Sequence, residues 1–217
     1  MSNRKVKLKS LKTLTKWIRY VLYAQILIAI LSIIFGFLEW QLLLGFQAGI
    51  YASIEDAFAD GELAIMLLQG IGIASLIAFM ASAVLILKWI YRANFNARHL
   101  GASNMSYTPA WSIGYYFIPI FNLWKPYQAM KEIWMASKNI FDGQLAKTPI
   151  IFPLWWALWL SSNILNQSVF RLSAKAVELS ELMNLNMLSQ ISNLIDIPLA
   201  LVTLAIINSI YNCQGES

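Results

Sequence analysis

The chain has 217 residues, of which 59% are hydrophobic and 12% are charged, with 16 Lys and Arg against 11 Asp and Glu for a net charge of +5. Charged residues make up about a quarter of an ordinary soluble domain, so this chain has more apolar surface than such a domain can bury. The composition excludes a disordered chain, a disulfide scaffold and an ordinary cytosolic enzyme. It predicts an all-α fold, a polytopic helical membrane bundle.

Four apolar runs are long enough to cross a bilayer, because about 18 or more apolar residues in a helix span the hydrocarbon core. They cover about residues 17–38, 63–90, 149–170 and 189–211. The first run is too long for a signal peptide, so we expect an uncleaved helix. Residues 17–212 are assigned to a single transmembrane domain, between a basic cytoplasmic N-terminal segment (1–16) and a short tail (213–217).

A fifth apolar stretch, residues 107–124, contains Pro109, Gly114, Pro119 and Asn122. Proline inside a helix removes a hydrogen bond and clashes with the preceding turn, so a helix that starts near Pro109 should break at Pro119. Broken backbone at membrane depth is tolerated where it is buried in protein or lines a wet cavity. We therefore expect a re-entrant or half-inserted segment here, with a fifth full span as the alternative.

The basic residues orient these spans, because cytoplasmic loops are rich in Lys and Arg. The first 19 residues hold seven bases and no acid, whereas residues 39–62 hold five acids and no base. If the fifth stretch returns to the side from which it entered, 14 of the 16 bases lie inside, and only Arg171 and Lys175 lie outside. This distribution predicts cytoplasmic N and C termini. The basic N terminus is expected to contact anionic lipid headgroups.

Two further segments, residues 126–140 and 172–187, place apolar side chains at helical spacing opposite charged ones. This pattern is typical of helices that lie along the membrane interface. We expect both to be interfacial amphipathic helices.

An ordered set of short motifs follows the second apolar run. It comprises Asn-x-x-x-Leu-Gly (96–101), Pro-x-Trp (109–111), Pro-Ile-x-Asn-Leu-x-x-Pro (119–126) and Glu-x-Trp-x-x-Ser (132–137). In this order the motifs resemble an uncharacterised domain-of-unknown-function family of bacterial multi-pass membrane proteins. The resemblance implies a bacterial membrane protein and no particular activity, and we expect this helical bundle to lie in the inner membrane. The motif residues, taken as structural, are Asn96, Gly101, Pro109, Trp111, Pro119, Asn122, Pro126, Glu132 and Trp134. Asn96 and Asn122 are expected to bond backbone groups freed around Pro119.

Asp196 lies inside the fourth apolar run, two residues before Pro198. An ionisable residue in a span is costly and usually faces the bundle interior, where Asp196 would form an ion or proton site. The polar residues Ser189, Gln190, Ser192 and Asn193 instead favour a helix that begins near residue 195, with Asp196 as the cap of its outer end. In the third run, Asn163, Asn166 and Gln167 share one helical face. They either line a path for a small solute or hydrogen-bond neighbouring helices. These four residues form the candidate polar or ion site.

The sequence contains no Gly-x-Ser-x-Gly, no His-Glu-x-x-His and no glycine-rich phosphate loop. It has one His and one Cys, too few for a His-rich metal site or an internal disulfide. We expect no enzymatic activity, no metal, no cofactor and no nucleic-acid partner. The favoured function is a scaffold or modulator of membrane partners, as a homo-oligomer or with another membrane protein. The alternative is a small-solute or ion channel or transporter that uses the broken segment and the polar face of the third run.

Overall fold

The computed structural model describes residues 8–102, 105–142 and 148–215. Within these ranges the chain forms seven α-helices, two short 3-10 turns and no strand, which confirms the all-α prediction. The α-helices are α1 (Lys12–Gln47), α2 (Ile54–Asp60), α3 (Glu62–His99), α4 (Pro109–Gly114), α5 (Lys125–Asp142), α6 (Ile151–Ser173) and α7 (Leu179–Gly215). The 3-10 turns are Tyr115–Phe117 and Phe121–Leu123.

Three of the described helices, α1, α3 and α7, are long and apolar enough to cross a membrane. Along α3, large apolar side chains such as Ile73, Leu76 and Ile77 are 63–65% exposed. A soluble protein rarely exposes so extended an apolar surface, whereas a bilayer covers it. The chain is therefore an integral membrane protein.

The helix α6, which contains most of the third predicted span, is not among these three. Its 23 residues would suffice to cross the hydrocarbon core. The difference comes from its second half, where Ser, Asn and Gln occupy most positions from 161 to 168 and lower the mean hydropathy. A fourth crossing by α6 stays a prediction.

Residues 107–124 form no continuous helix, in agreement with the predicted break. The helix α4 has six residues and is only about 9 Å long, far short of a bilayer core of about 30 Å. At Ile118 the backbone is extended, with φ −101° and ψ 113°. The chain then turns through Pro119 before the second 3-10 turn. The side of the membrane on which this segment lies stays a prediction.

The two predicted amphipathic segments differ in the structure. Residues 126–140 lie within α5, as expected for a helix. Residues 172–187 do not form a separate helix, because α6 continues to Ser173 and α7 begins at Leu179. Here the apolar spacing belongs to the end of one long helix and the start of the next. Glu181 caps this start of α7 by accepting the Val177 N–H at 2.9 Å.

By its contacts the chain divides into two compact units. The first unit comprises residues 1–21, 81–156 and 201–217, and the second comprises residues 22–80 and 157–200. In the first unit, fully buried side chains come from α1, α3, α5 and α7: Ile18, Trp89, Ile90, Ile133, Ile207 and Ile210. The indole N–H of Trp89 donates to the Thr15 hydroxyl at 2.9 Å. All the motif residues lie in this unit.

In the second unit, α1 and α7 approach closely at Gly36. A Cβ at this position would collide with the side chain of Gln190 on α7. Asn186 of α7 donates to the Gly36 carbonyl at 2.8 Å and to the Glu39 carboxylate at 2.7 Å. The bond to Glu39 satisfies an acidic group of α1 that would otherwise be costly to bury.

Candidate functional site

The glycine of the first motif ends α3. Gly101 has φ +118°, a conformation that side chains with a Cβ rarely adopt. Its N–H bonds to the Arg98 carbonyl at 3.4 Å, and the N–H of Ala102 bonds to the Ala97 carbonyl at 3.2 Å. These two bonds are those of a Schellman motif, which satisfies the last carbonyls of a helix. The Leu-Gly pair therefore fixes the direction in which the chain leaves α3.

The loop that follows is held from both sides by opposite charges. The guanidinium of Arg98 donates to the carbonyls of Met105, at 2.8 Å, and Tyr107, at 2.9 Å. The carboxylate of Glu132, on α5, accepts the backbone N–H groups of Ser106 and Tyr107, the latter at 3.0 Å. Hydrogen bonds to charged groups are the stronger ones in proteins, so residues 105–107 of this loop are firmly fixed.

Asn94 extends this arrangement to α4. Its Nδ2 donates to the Tyr107 carbonyl at 2.8 Å and to the Ser112 hydroxyl at 2.7 Å. The Thr108 hydroxyl caps α4 by accepting the Trp111 N–H at 3.2 Å, and Pro109 takes the first helical position. Proline suits this position because its missing N–H would have no helical partner. The Pro-x-Trp motif thus starts α4.

Asn96 attaches the N-terminal segment to α3. Its Oδ1 accepts the Lys9 N–H and its Nδ2 donates to the Lys9 carbonyl, both at 2.8 Å. The expectation that Asn96 bonds backbone groups near Pro119 is therefore wrong. The side-chain oxygen Oδ1 of Asn122 has no hydrogen-bond partner among the described residues, so it accepts no backbone N–H near Pro119 either. The carbonyl of Leu123, the last residue of the second 3-10 turn, accepts the indole N–H of Trp156 at 2.8 Å.

The last motif joins α5 to α7. The indole N–H of Trp134 donates to Ser209 at 3.0 Å. The Ser137 hydroxyl donates to the Ile133 carbonyl and accepts from Gln214, both at 2.7 Å. Gln214 also donates to the Ala93 carbonyl of α3 at 3.0 Å. These buried bonds fix the C-terminal end of α7 in the first unit.

We call the side chains that make these bonds the polar cluster: Asn94, Asn96, Arg98, Glu132, Ser137 and Gln214. Most of their bonds go to backbone groups, and the polar cluster therefore orders loops and helix ends. The motifs of the sequence contain three of these positions, Asn96, Glu132 and Ser137, and Arg98 is one of the bases that follow the second apolar run. Sequence reasoning missed Asn94 and Gln214, which have no local sequence signal.

The polar residues around Asp196 lie in the second unit. Because α7 runs without interruption from Leu179 to Gly215, Asp196 is not an N-cap, and that alternative is wrong. The Ser162 hydroxyl donates to the Asp196 carboxylate at 2.6 Å, and Asn166 donates to that hydroxyl at 3.2 Å. Ser162 thus links the two predicted residues, Asp196 and Asn166. Ser162 precedes Asn166 by four positions and so lies on the same face of α6, and this spacing is the sequence signal that could have identified Ser162.

The other two predicted residues do not join this group. Asn163 is exposed and donates to the Trp159 carbonyl of its own helix at 2.7 Å. Gln167 is also exposed. All three amides of the predicted polar face, Asn163, Asn166 and Gln167, are exposed, and of these Asn166 is the one that bonds to the Ser162 hydroxyl beside Asp196. Among the described residues, no group of three or more His, Cys, Asp or Glu side chains could hold a metal ion.

Comparison with known families identifies the chain. The family described as "Domain of unknown function (DUF4328)" matches residues 53–212, which is more than half of the 217 residues. No curated protein and no solved structure matches the chain. The chain belongs to this family, and the matched range contains every motif residue from Asn96 to Ser137.

Proposed function

We propose that this member of the DUF4328 family is a multi-pass protein of the bacterial inner membrane that scaffolds or modulates membrane partners and catalyses no reaction. The observation that supports it is the polar cluster. Its charges and amides are bonded to loops and helix ends, so they build a rigid support for α4 and the two 3-10 turns. A site for chemistry would instead need such groups free to face a substrate.

The charge distribution supports the proposed orientation. The first unit contains 14 of the 16 bases and three of the 11 acids, whereas the second contains two bases and eight acids. The N-terminal segment, the connection from α3 to α6 and the C-terminal end of α7 all belong to the first unit. Positive charge collects on the cytoplasmic side of membrane proteins, so we place these parts inside. In this arrangement α1, α3, α6 and α7 all cross the membrane.

The segment from α4 to the second 3-10 turn supplies the proposed contact surface. Phe117 is 72% exposed and Ile120 is 68% exposed, although both lie outside the three candidate spans. Residues 107–124 contain no charged side chain. Two copies of an uncharged apolar surface can pack against each other without electrostatic repulsion, as the two-fold interface of a homodimer requires. We therefore propose a second copy of this chain as the partner, with the segment half-inserted at the cytoplasmic face of the bilayer.

Cysteine cross-linking in native membranes tests this proposal. In a Cys213→Ser background, Phe117→Cys should give a cross-linked dimer with a short bismaleimide reagent. Leu76→Cys is the matched control, because Leu76 is 63% exposed on α3 and should face lipid. Monomer at both positions, or equal dimer at both, would contradict a specific self-association. A cross-link to another membrane protein alone would replace the homodimer with a hetero-complex.

The second candidate is a small-solute or ion channel or transporter. The hydrogen bond between Ser162 and Asp196 favours it, because an ionisable residue inside a membrane span is costly to insert and usually marks an ion or proton pathway. Proton and ion flux into liposomes that contain the purified chain would test it, with Asp196→Asn as the variant. Flux that Asp196→Asn abolishes would establish a conduit and displace the scaffold.

A further inference from the structure

A groove of about 760 Å³ lies in the first unit beside α3. The N-terminal segment borders it with Lys9 and Ser10, and α4 contributes Ile113. We propose that this groove binds one anionic glycerophospholipid, with the phosphate at Lys88 and Arg92. The volume lies in the range of small-molecule sites, which is about 300–1,000 Å³.

The lining residues of α3 are ordered like the parts of a phospholipid. They are Val84, Leu87, Lys88, Tyr91 and Arg92, whose spacings of three and four place them on one helical face. The two apolar residues come first and the two basic residues lie toward the C-terminal end. Lys88 is the first charged residue after Glu62, and it lies about 6 Å along the axis from Val84. An acyl chain would lie along the apolar part while the phosphate meets the bases.

The charge of the groove selects an anionic headgroup. Lys9, Lys88 and Arg92 line it, and none of the described lining residues is acidic. Arg92 donates one N–H to the Ser10 carbonyl at 2.9 Å, and an arginine has five such donors. A headgroup with its own ammonium would bring a fourth positive charge to this site. A phosphatidylglycerol-type lipid, with net negative charge, avoids that repulsion.

The polar cluster holds the N-terminal border of the groove in place. Asn96 bonds both backbone groups of Lys9 at 2.8 Å. The Lys9 ammonium lies 4.6 Å from the ring centre of Tyr91 and 4.2 Å from that of Phe95. These cation–π contacts fix the amine beside α3. The groove is therefore formed before any lipid arrives, which lowers the entropic cost of binding.

This inference rests on the proposed membrane location, which sets Lys88 at headgroup level, and it is independent of self-association. The test uses the purified full chain in detergent, titrated with short-chain phosphatidylglycerol or phosphatidylcholine and followed by native mass spectrometry. We expect phosphatidylglycerol to bind preferentially. Lys88→Gln should weaken its binding about fivefold, the usual effect of one base near an anionic surface. Lys88 is exposed, so this variant should fold.

Two controls separate the groove from general electrostatics. Lys12→Gln removes the same charge from an exposed residue of the first unit that does not line the groove, and it should leave binding unchanged. Lys88→Arg should retain binding. Equal affinity for the two lipids, or equal weakening by Lys88→Gln and Lys12→Gln, would overturn the proposal. Displacement of the lipid by inorganic phosphate would also overturn it, by showing a site for the free anion. The cross-linking result at Phe117 affects none of these outcomes.

Discussion

At the scale of single residues, the structure uses amides and charges to satisfy backbone atoms that belong to no regular element. Asn96 replaces a backbone partner for Lys9, Glu132 accepts two loop N–H groups, and Trp156 donates to a carbonyl beside the break. A buried backbone group without a partner costs about 1–3 kcal/mol. Removal of any of these side chains should therefore destabilise the chain more than the loss of an ordinary surface contact.

Asn96→Ala provides the first test. It leaves the N–H and the carbonyl of Lys9 without their partners, so we expect a loss of about 1–3 kcal/mol in the free energy of unfolding. Asn163→Ala is the matched control, because Asn163 is exposed and, within the described part of the chain, bonds only to its own helix. It should change stability by at most about 0.5 kcal/mol. Reversible denaturation in mixed micelles measures both variants, and equal effects would show that the Lys9 pairing contributes nothing.

Glu132→Gln tests the loop directly. The amide can accept through one oxygen only, so it loses one of the two bonds to the N–H groups of Ser106 and Tyr107. Hydrogen exchange at these two amides should quicken by about tenfold or more, since bonds to charged groups contribute about 1.5–3 kcal/mol. Lys131→Gln, on the preceding residue, should leave both amides unchanged. Unchanged exchange in Glu132→Gln would mean that Arg98 and Asn94 alone fix the loop.

At the scale of the helices and turns, two glycines, one inside α3 and one just after its end, should respond with opposite sign to alanine. Gly101 has a positive φ, so Gly101→Ala should destabilise the chain by more than about 1 kcal/mol. Gly70 lies inside α3, and a Cβ there meets nothing within 4 Å. Gly70→Ala should stabilise α3 by about 0.5–1 kcal/mol. Thermal unfolding in detergent measures both, and a loss of stability in both would contradict the assigned role of Gly101.

Local physics explains which elements the sequence could predict. The break at Pro119 follows from a missing N–H and a steric clash, both independent of the rest of the fold. The apolar runs located the long helices but underestimated their lengths. Hydropathy marks only the part of a helix that lipid surrounds, whereas α1 begins at Lys12 and α7 continues through Gln214 because their backbones still hydrogen-bond.

The partners of the polar cluster could not be predicted in the same way. Gln214 and Ala93 are 121 residues apart, and Asn96 bonds Lys9 across 87 residues. No local sequence pattern predicts hydrogen-bond partners that are so far apart in the chain. The third predicted span shows a related difficulty, since Asn163 and Asn166 share a helical face and are both exposed, but of the two only Asn166 bonds to the Ser162 hydroxyl beside Asp196. A few polar residues do not fix the rotation of a helix about its axis, which is set by packing.

At the scale of the whole molecule, we propose that four helices cross the membrane and leave both termini in the cytoplasm. The uneven distribution of bases supports it, and it requires α6 to cross despite its polar second half. The connection between α6 and α7, residues 174–178, then lies outside. A chain with only α1, α3 and α7 as spans would keep this connection inside, as would a chain with a fifth span at residues 107–124.

Labelling of one position separates these arrangements. Ala174 is exposed in the connection between α6 and α7, and Cys213→Ser removes the natural thiol. In intact spheroplasts, a membrane-impermeant maleimide should label Ala174→Cys fully. The matched variant Ala110→Cys, exposed on α4, should react only after the membrane is permeabilised. Labelling of Ala174→Cys only after permeabilisation would contradict the four-span account and leave α6 without a crossing in the proposed direction.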